Sequence, residues 1–173
     1  MNLESIIRTV PDFPKPGIQF KDITTVLKDP EALKYCIETF HEKYKDQRIT
    51  KVVGIESRGF IVGTALAYRL GAGFVPIRKP GKLPATVLRQ EYQLEYGTDV
   101  IEIHKDAITP GERVLLHDDV LATGGTMQAA CSIVKQLGGE IVGISFLIEL
   151  AFLHPRKKLS GFDIFSLVTY NAE

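Results

Sequence analysis

Residues 114–126 read VLLHDDVLATGGT, and this stretch of the sequence decides the fold. An apolar strand delivers two adjacent carboxylates, Asp118 and Asp119, and a tight loop then opens a helix. That loop consists of Ala122, Thr123, Gly124, Gly125 and Thr126. Glycines let the backbone approach an anion closely, and the free N–H groups at the start of a helix point toward it. The loop is therefore predicted to hold a phosphate, while the two carboxylates suit the hydroxyls of a sugar or a magnesium ion beside it.

Outward from this stretch, short apolar strands alternate with helices. The predicted core strands are 51–55, 74–77, 113–119, 141–150 and 162–170, and the predicted helices are 59–70, 125–137 and one that begins at Pro30 behind an Asp29 cap. Strands at 86–96 and 100–104 are predicted to form a hairpin. Buried strands that alternate with helices indicate a parallel sheet covered on both faces. The chemistry is therefore expected beyond the C-terminal strand ends, where such sheets bind their ligands.

The N-terminal segment shows a helical pattern followed by prolines. Leu3, Ile6, Ile7 and Val10 have the spacing of a short amphipathic helix. Prolines at positions 11, 14 and 16 then exclude regular helix and predict an extended loop.

Length and composition exclude several classes of protein. The chain has 173 residues, which fits a single domain over 1–173. Its 21 basic residues balance its 21 acidic residues, and a pI near 6.9 argues against a nucleic-acid-binding domain, whose pI usually exceeds about 9. No apolar run approaches the roughly 18 residues of a transmembrane helix, and Met1 is not followed by a signal-peptide pattern. Because Cys36 and Cys131 lie in apolar helical patterns, we expect reduced core thiols and a cytoplasmic location.

Cations follow two other predicted strands. The turn GIESRG at 54–59 has the G-x-x-x-x-G spacing of a nucleotide-binding loop, but Phe60 stands where that loop needs lysine. The turn still places Arg58 beside the free N–H groups at the start of a helix, and this combination suits a pyrophosphate. The alternative is that Arg58 is simply a solvated arginine at a helix end. The segment RKPGK at 78–82 brings three cations together in five residues at the same expected edge.

The order of these motifs resembles the type I phosphoribosyltransferase family, over residues 11–170. In that family, the loop that matches 122–126 binds the 5-phosphate of phosphoribosyl pyrophosphate (PRPP). The acidic pair that matches Asp118 and Asp119 contacts the ribose 2- and 3-hydroxyls. The resemblance implies an α/β fold with a central, mainly parallel sheet flanked by helices, an N-terminal hood formed by about residues 1–35, and a mobile β-hairpin loop.

The resemblance assigns the pyrophosphate of PRPP to the two cationic segments. The matching residues in the first segment are Glu56, Ser57 and Arg58, and those in the second are Arg78, Lys79 and Lys82. Arg58 is also implied to act in catalysis, because a fixed cation offsets the charge of the leaving group. The family places part of the second segment across a dimer interface, so a homodimer is implied.

The base is assigned by residues 14–23, PKPGIQFKDI, which resemble the hood of the family members that act on adenine. Phe20 matches a phenylalanine that stacks on the base, and Leu150 matches a leucine on its other face. An aromatic and an aliphatic side chain can hold a flat purine between them by stacking and apolar contact. Both residues could instead be ordinary residues of the hydrophobic core. The backbone at Gln19 is expected to read the edge of the base. Lys21 stands where the relatives are expected to have arginine.

A candidate acid–base residue lies in the hairpin. Residues 93–97, QLEYG, look like the mobile catalytic loop of the family. Glu95 matches the glutamate that exchanges a proton with the purine, although an exposed strand glutamate would look the same. Members that act on 6-oxopurines carry a further aspartate at the position of Ala122. Its replacement by alanine favours the adenine branch.

The implied reaction converts adenine and PRPP into AMP and pyrophosphate, with Mg²⁺ held mainly by PRPP and water rather than by protein side chains. The expected partners are these small molecules and a second copy of the chain, with no nucleic acid and no membrane. Two alternatives stay open. One is a phosphoribosyltransferase for another base, against which Ala122 and Phe20 argue. The other is a non-catalytic PRPP-binding regulator, whose nucleic-acid surface the balanced charge does not favour.

Overall fold

A computed structural model describes residues 1–93 and 97–172 of the chain. Its strands are β1 (Arg8–Val10), β2 (Phe20–Asp22), β3 (Lys51–Ile55), β4 (Gly73–Ile77), β5 (Val87–Gln93), β6 (Thr98–His104), β7 (Arg113–Leu121), β8 (Glu140–Leu150) and β9 (Ile164–Tyr170). Its α-helices are α1 (Thr24–Leu27), α2 (Pro30–Tyr44), α3 (Gly59–Leu70) and α4 (Gly125–Gln136). Short 3₁₀ turns cover Lys45–Gln47, Ala151–Leu153 and Pro155–Lys157.

The centre of the fold is a five-stranded sheet in the order β4-β3-β7-β8-β9, and all of its paired strands are parallel. The C-terminal ends of β3, β4, β7 and β8 therefore meet along one edge. This confirms the predicted α/β fold, and the edge is the one at which the sequence places the ligands. The strand β7 runs two residues beyond the predicted end, so the two carboxylates lie within the strand rather than at its last position.

Both faces of the sheet are covered, because neighbouring residues of one strand point in opposite directions. Val53 and Leu116 pack into a core shared with α4 and the hairpin of β5 and β6. Val52 and Leu115 pack into a second core, shared with α2 and α3. The two cores hold the sheet rigid, which fixes the loops at its edge.

The helices begin where local chemistry predicts. The carboxylate of Asp29 accepts hydrogen bonds from the backbone N–H groups of Glu31 at 2.9 Å and Ala32 at 3.0 Å, and Pro30 occupies the first helical position of α2. The helix α3 has the predicted bounds. In the described part of the chain, no helix combines the length and the apolar character that crossing a membrane requires.

The predicted N-terminal helix is wrong. Leu3 and Ile7 are buried, as the pattern indicated, but they belong to a single turn in which the N–H groups of Ile6 and Ile7 both bond to the carbonyl of Leu3 at 3.0 Å. The chain then enters β1, which pairs antiparallel with β2. Pro11 favours this outcome, because a residue before proline is pushed toward extended geometry.

Candidate functional site

A cavity of about 540 Å³ opens at the C-terminal edge of the sheet. It collects residues from the hood, the two cationic segments, the hairpin and the end of β7. Its walls include Gln19, Phe20, Lys21, Glu56, Ser57, Arg58, Arg78, Lys79, Tyr92, Asp118, Asp119, Ala122, Thr126 and Leu150, over an apolar lining of Ile18, Ile55, Ile77, Ile101 and Val120. Most of the sequence motifs therefore converge on one site, although they are spread over more than a hundred residues of the chain. The predicted pyrophosphate residue Lys82 is not among the residues that line this cavity.

The glycine loop forms a smaller concavity of about 80 Å³ at the end of this cavity, lined by residues that include Thr123, Gly124 and Gly125. Gly124 adopts φ +81, and a Cβ there would lie 2.9 Å from the carbonyl oxygen of Pro155. Only glycine fits both demands. Gly124 precedes α4, and no side chain among the described residues caps that helix start. Its first N–H groups are therefore available to an anion, as predicted for a phosphate site.

Asp118 lines both cavities, and Asp119 lines the larger one. Asp119 is only 4% exposed, and its own N–H donates to Oδ1 of Asp118 at 2.8 Å. Burial, together with the neighbouring charge of Asp119, raises the pKa of Asp118 well above its usual value. Burial also raises the pKa of Asp119, although Arg58 opposes this. The start of α3 packs closely against this pair, since a Cβ on Gly59 would lie 2.9 Å from Asp118 Oδ1.

Arg58 contacts two of the predicted subsites at once. Its Nε lies 2.6 Å from Oδ2 of Asp119, and its guanidinium carbon lies 5.2 Å from the ring centroid of Phe20. The arginine therefore spans from the carboxylate predicted to bind the sugar to the aromatic face predicted to stack on the base. Its side chain remains 45% exposed, so it can move toward an incoming anion.

The second cationic segment is organised by two acidic residues. The carboxylate of Glu56 accepts from the N–H of Lys79 at 2.8 Å and from Arg78 Nε at 3.3 Å. Although burial raises the pKa of Glu56, these donors bring the pKa below its usual value. Arg78 also exchanges two backbone hydrogen bonds with Glu102, at 2.9 and 2.8 Å, and its Nη1 donates to the carbonyl of Lys82 at 3.4 Å. The two cationic segments thus form one connected unit.

The hood reaches the cavity through β2. Phe20 makes an edge-on contact with Phe13, with 5.1 Å between ring centroids, and Leu150 enters the same cavity from the end of β8. The amine of Lys21 donates to Thr9 Oγ1 at 3.0 Å and lies 4.3 Å from the ring centroid of Tyr170. In the described structure, the Lys21 amine is thus directed toward the β1 strand and the last strand of the sheet.

His117, next to the acidic pair, belongs to the core. Its ring is fully buried, and its Nδ1 lies 2.9 Å from Ser145 Oγ. Burial lowers the pKa of His117 to about 3, so the ring is neutral at physiological pH. It therefore packs as a neutral core residue behind the carboxylates.

The sequence did not single out the hairpin residue that reaches the site. Tyr92 lines the cavity, and its hydroxyl accepts from Thr126 Oγ1 at 3.3 Å. The alternation of half-buried and exposed residues along β5, which places Tyr92 on the inward face, is the signal that could have found it. Glu95, the predicted acid–base residue, lies outside the described residues.

The phosphoribosyl transferase domain family matches residues 22–163 of the chain. The adenine phosphoribosyltransferase of Acidobacterium capsulatum is 58% identical over 169 residues, which cover 98% of this chain and 93% of the relative. The structure of adenine phosphoribosyltransferase from Thermoanaerobacter pseudethanolicus aligns with a TM-score of 0.94 at 55% identity, covering 96% of this chain and 97% of that one. The Giardia lamblia enzyme, complexed with 9-deazaadenine, aligns with a TM-score of 0.92 at 43% identity, covering 98% of this chain and 96% of that one.

These similarities extend over nearly the whole chain, and the matched region contains the cavity edge with its acidic pair, glycine loop and cationic segments. The chain belongs to the phosphoribosyl transferase family, in the branch of the adenine phosphoribosyltransferases.

Proposed function

We propose that this protein transfers the phosphoribosyl group of PRPP to adenine, giving AMP and pyrophosphate in purine salvage. The observation that carries this function is the single cavity in which Phe20 and Leu150 lie together with the acidic pair and the cations of two loops. The apolar pair suits a purine, the acidic pair suits the hydroxyls of a ribose, and the cations suit a pyrophosphate. The names of the full-length relatives agree with this activity.

PRPP is proposed to lie along the strand ends. Its 5-phosphate takes the N–H groups of the loop 122–126, and its ribose hydroxyls take Asp118 and Asp119. Its pyrophosphate lies beside Arg58, Arg78, Lys79 and Lys82, with Ser57 in the same loop. Since the Glu56 carboxylate accepts from the Arg78 guanidinium and from the backbone N–H of Lys79, we assign it to holding the 78–82 segment rather than to contacting the anion.

Adenine is proposed to lie between Phe20 and Leu150, with its edge read by the backbone of Gln19. The backbone at Lys21 closes the same end of the cavity. In this position the ring is held in line with the C1 carbon of the ribose, and holding two reactants in register removes much of the entropic cost of reaction.

In the reaction, the bond between C1 and the pyrophosphate oxygen breaks, and its electron pair leaves with the pyrophosphate. Adenine that carries its imidazole proton on N7 forms the new bond to C1 through N9, and N7 passes that proton to the carboxylate of Glu95. Asp118 and Asp119 stabilise positive charge on the ribose, and Arg58 with the lysines stabilises the departing anion. Glu95 is proposed to exchange a proton with the other imidazole nitrogen of the base.

A magnesium ion fits this site as a companion of PRPP. The described residues contain no group of three or more histidine, cysteine, aspartate or glutamate side chains arranged to hold a metal. Magnesium prefers oxygen ligands and keeps several waters, so one or two carboxylates beside substrate phosphates suffice. Asp118 and Asp119 are the carboxylates positioned to supply them, directly or through water. The ion would neutralise charge on the leaving group.

Two further features support the proposals of a homodimer and of a cytoplasmic location. Ile61 and Tyr68 are 48% and 85% exposed, and their spacing of seven puts both on one face of α3, directly after the pyrophosphate segment. This face is proposed to pair with a second copy in a homodimer. Both cysteines are free thiols in the core, which fits a cytoplasmic enzyme.

The direct test is a spectrophotometric assay for AMP formation from adenine, PRPP and magnesium, run in parallel with hypoxanthine, guanine and xanthine. We expect turnover with adenine and none with the other three bases. Turnover with an oxopurine and none with adenine would assign the protein to another base. The double variant D118N/D119N should raise the KM for PRPP or abolish activity, and unchanged kinetics would contradict the ribose assignment.

A further inference from the structure

A cluster of polar side chains joins the hairpin to the 78–82 segment at the cavity wall. The amine of Lys79 forms an ion pair with Oδ2 of Asp99 on β6, and it also lies 3.4 Å from the hydroxyl of Tyr92 on β5. Lys79 and Tyr92 line the cavity. Asp99 is not among the residues that line the cavity, so any effect it has on a ligand passes through Lys79 or Tyr92.

Asp99 is itself fixed from two sides. The N–H of Val100 donates to its Oδ1 at 2.8 Å, and the Tyr92 hydroxyl donates to its Oδ2 at 3.0 Å. Although burial raises the pKa of Asp99, its bonds to Lys79, Val100 and Tyr92 bring the pKa below the usual value, so the group stays charged at neutral pH. The lysine therefore faces a rigid anion rather than a mobile side chain.

Tyr92 extends the cluster to the phosphate loop. Its hydroxyl donates to Asp99 and accepts from Thr126 Oγ1 at 3.3 Å and from Lys79. One donor and two acceptor positions are the full capacity of a phenolic hydroxyl. The Tyr92 ring also packs on the loop, since a Cβ on Gly125 would lie 3.8 Å from Cδ2 of Tyr92. The hairpin thus ties the cationic segment to the phosphate loop through one tyrosine.

We propose that Asp99 and Tyr92 are positioning residues that hold the Lys79 amine at the cavity wall for the pyrophosphate group. A lysine has a flexible stem and three donors, so an unrestrained amine must be ordered when the anion binds. Here the hairpin engages two of these donors, and the third has no partner among residues 1–93 and 97–172, so it can meet the ligand. This inference rests on the proposed binding of pyrophosphate by the 78–82 segment.

The test measures binding of magnesium pyrophosphate by calorimetry to the whole protein. We expect K79M to weaken binding about 10- to 100-fold, because a charge-assisted contact is lost. We expect D99A to weaken it about 2- to 10-fold, the effect of leaving one long side chain unordered. In the K79M background, D99A should have no further effect, because Asp99 acts only through the lysine. The exposed Asp106, at the far end of the hairpin, provides the matched control D106A, which should bind as the wild type does.

The outcomes separate this inference from the proposed function. Unchanged or tighter binding in D99A, as expected if Asp99 merely competes with the ligand for the lysine, overturns the positioning role. Equal weakening by D99A with and without Lys79 overturns it as well. Unchanged binding in K79M overturns both the inference and the proposed pyrophosphate site. If D99A does not fold, Y92F decides, since it removes a single oxygen and should weaken binding in the same direction; wild-type affinity in Y92F contradicts the proposal.

Discussion

Arg58 Nε lies 2.6 Å from Oδ2 of Asp119, while the same guanidinium lies 5.2 Å from the ring centroid of Phe20. One side chain thus neutralises the buried carboxylate proposed for ribose and covers the aromatic face proposed for adenine. Because the pyrophosphate of PRPP carries several negative charges, it competes with Asp119 for this arginine. Binding of PRPP is therefore expected to free both the carboxylate and the face of Phe20.

Replacing Arg58 by alanine should have opposite effects on the two substrates. The KM for PRPP should rise about 10- to 100-fold, because a charge-assisted contact to the pyrophosphate is lost. Adenine alone should bind the variant more tightly than the wild type, because the face of Phe20 is uncovered. Steady-state kinetics measure the first effect, and calorimetry with adenine in the absence of PRPP measures the second.

The control is R69A, since Arg69 lies on α3, the helix that Arg58 precedes, and bonds to Glu38 at 2.6 Å on an exposed surface. Its kinetics should match those of the wild type. Weaker binding of adenine to R58A would show that the arginine supports the base rather than covering its site.

Replacing Asp118 by asparagine should stabilise the fold and impair the enzyme. Asparagine retains an oxygen for the N–H of Asp119 but carries no charge in the buried pair. We expect Tm at pH 7 to rise by about 2–8 °C, while the KM for PRPP also rises. Calorimetric melting and steady-state kinetics measure the two changes.

The pH dependence of that stabilisation has a definite sign. Because the pKa of Asp118 is raised in the folded protein, the folded state binds the extra proton, and wild-type stability falls as the pH rises from the unfolded pKa to the folded one. The gain in D118N should thus be largest at pH 7 and shrink toward pH 4. The exposed Asp46 supplies the control D46N, with no such trend. A lower Tm in D118N at pH 7 would mean that the charge of Asp118 stabilises the fold.

The core of the fold could be predicted because its signals are local. The bounds of β3 and α3 follow from an apolar run and from an apolar helix closed by Gly71. The pairing of β1 with β2 could not be predicted, because strands of three residues are too short to show an alternating pattern. The pairing also joins segments that lie ten residues apart, with three prolines between them. Burial of Leu3 and Ile7 was visible in the sequence, but the geometry that buries them was not.

The site divides in the same way. The acidic pair, the glycine loop and the cations could be predicted, since each follows a strand end in the sequence. The contacts of Tyr92 and Asp99 could not, because they depend on how the hairpin folds back over α4 and the 78–82 segment. The contacts of Arg58 with Asp119 and Phe20 could not be predicted either, because they form only when three separate segments of the chain meet.

Replacing Glu95 by glutamine should lower kcat about 10²- to 10⁴-fold, the usual contribution of a positioned acid–base group. The affinity for PRPP should change little, because glutamine has nearly the same shape and the proposed role concerns the base. Steady-state kinetics with both substrates measure the separation of kcat from KM. The exposed Glu91 on the same hairpin supplies the control E91Q. Unchanged turnover in E95Q would remove the acid–base role.

A buried ion pair lies next to the proposed base cavity. Glu149 precedes Leu150 in β8, and its side chain is only 3% exposed. Arg156 donates to both of its oxygens at 2.7 Å, and Ser166 Oγ donates at 3.0 Å. The bond to Arg156 is the main cause that lowers the pKa of Glu149, against the effect of burial. The pair thus holds a buried charge directly beside the leucine proposed to contact adenine.

Replacing Arg156 by alanine should destabilise the fold at pH 7 by roughly 2–3 kcal/mol, less than for a fully buried pair because the arginine is partly exposed. The KM for adenine should rise as well, since Leu150 loses its support.

A group with a lowered pKa stabilises the fold above its unfolded pKa and loses that contribution as the pH falls through its folded pKa. The difference in Tm between wild type and R156A should therefore shrink below about pH 4, the ordinary range of a glutamate. Thermal melts across pH measure this, with the exposed neighbour Lys157 providing the control K157A. A Tm deficit independent of pH would mean that Arg156 acts by packing alone.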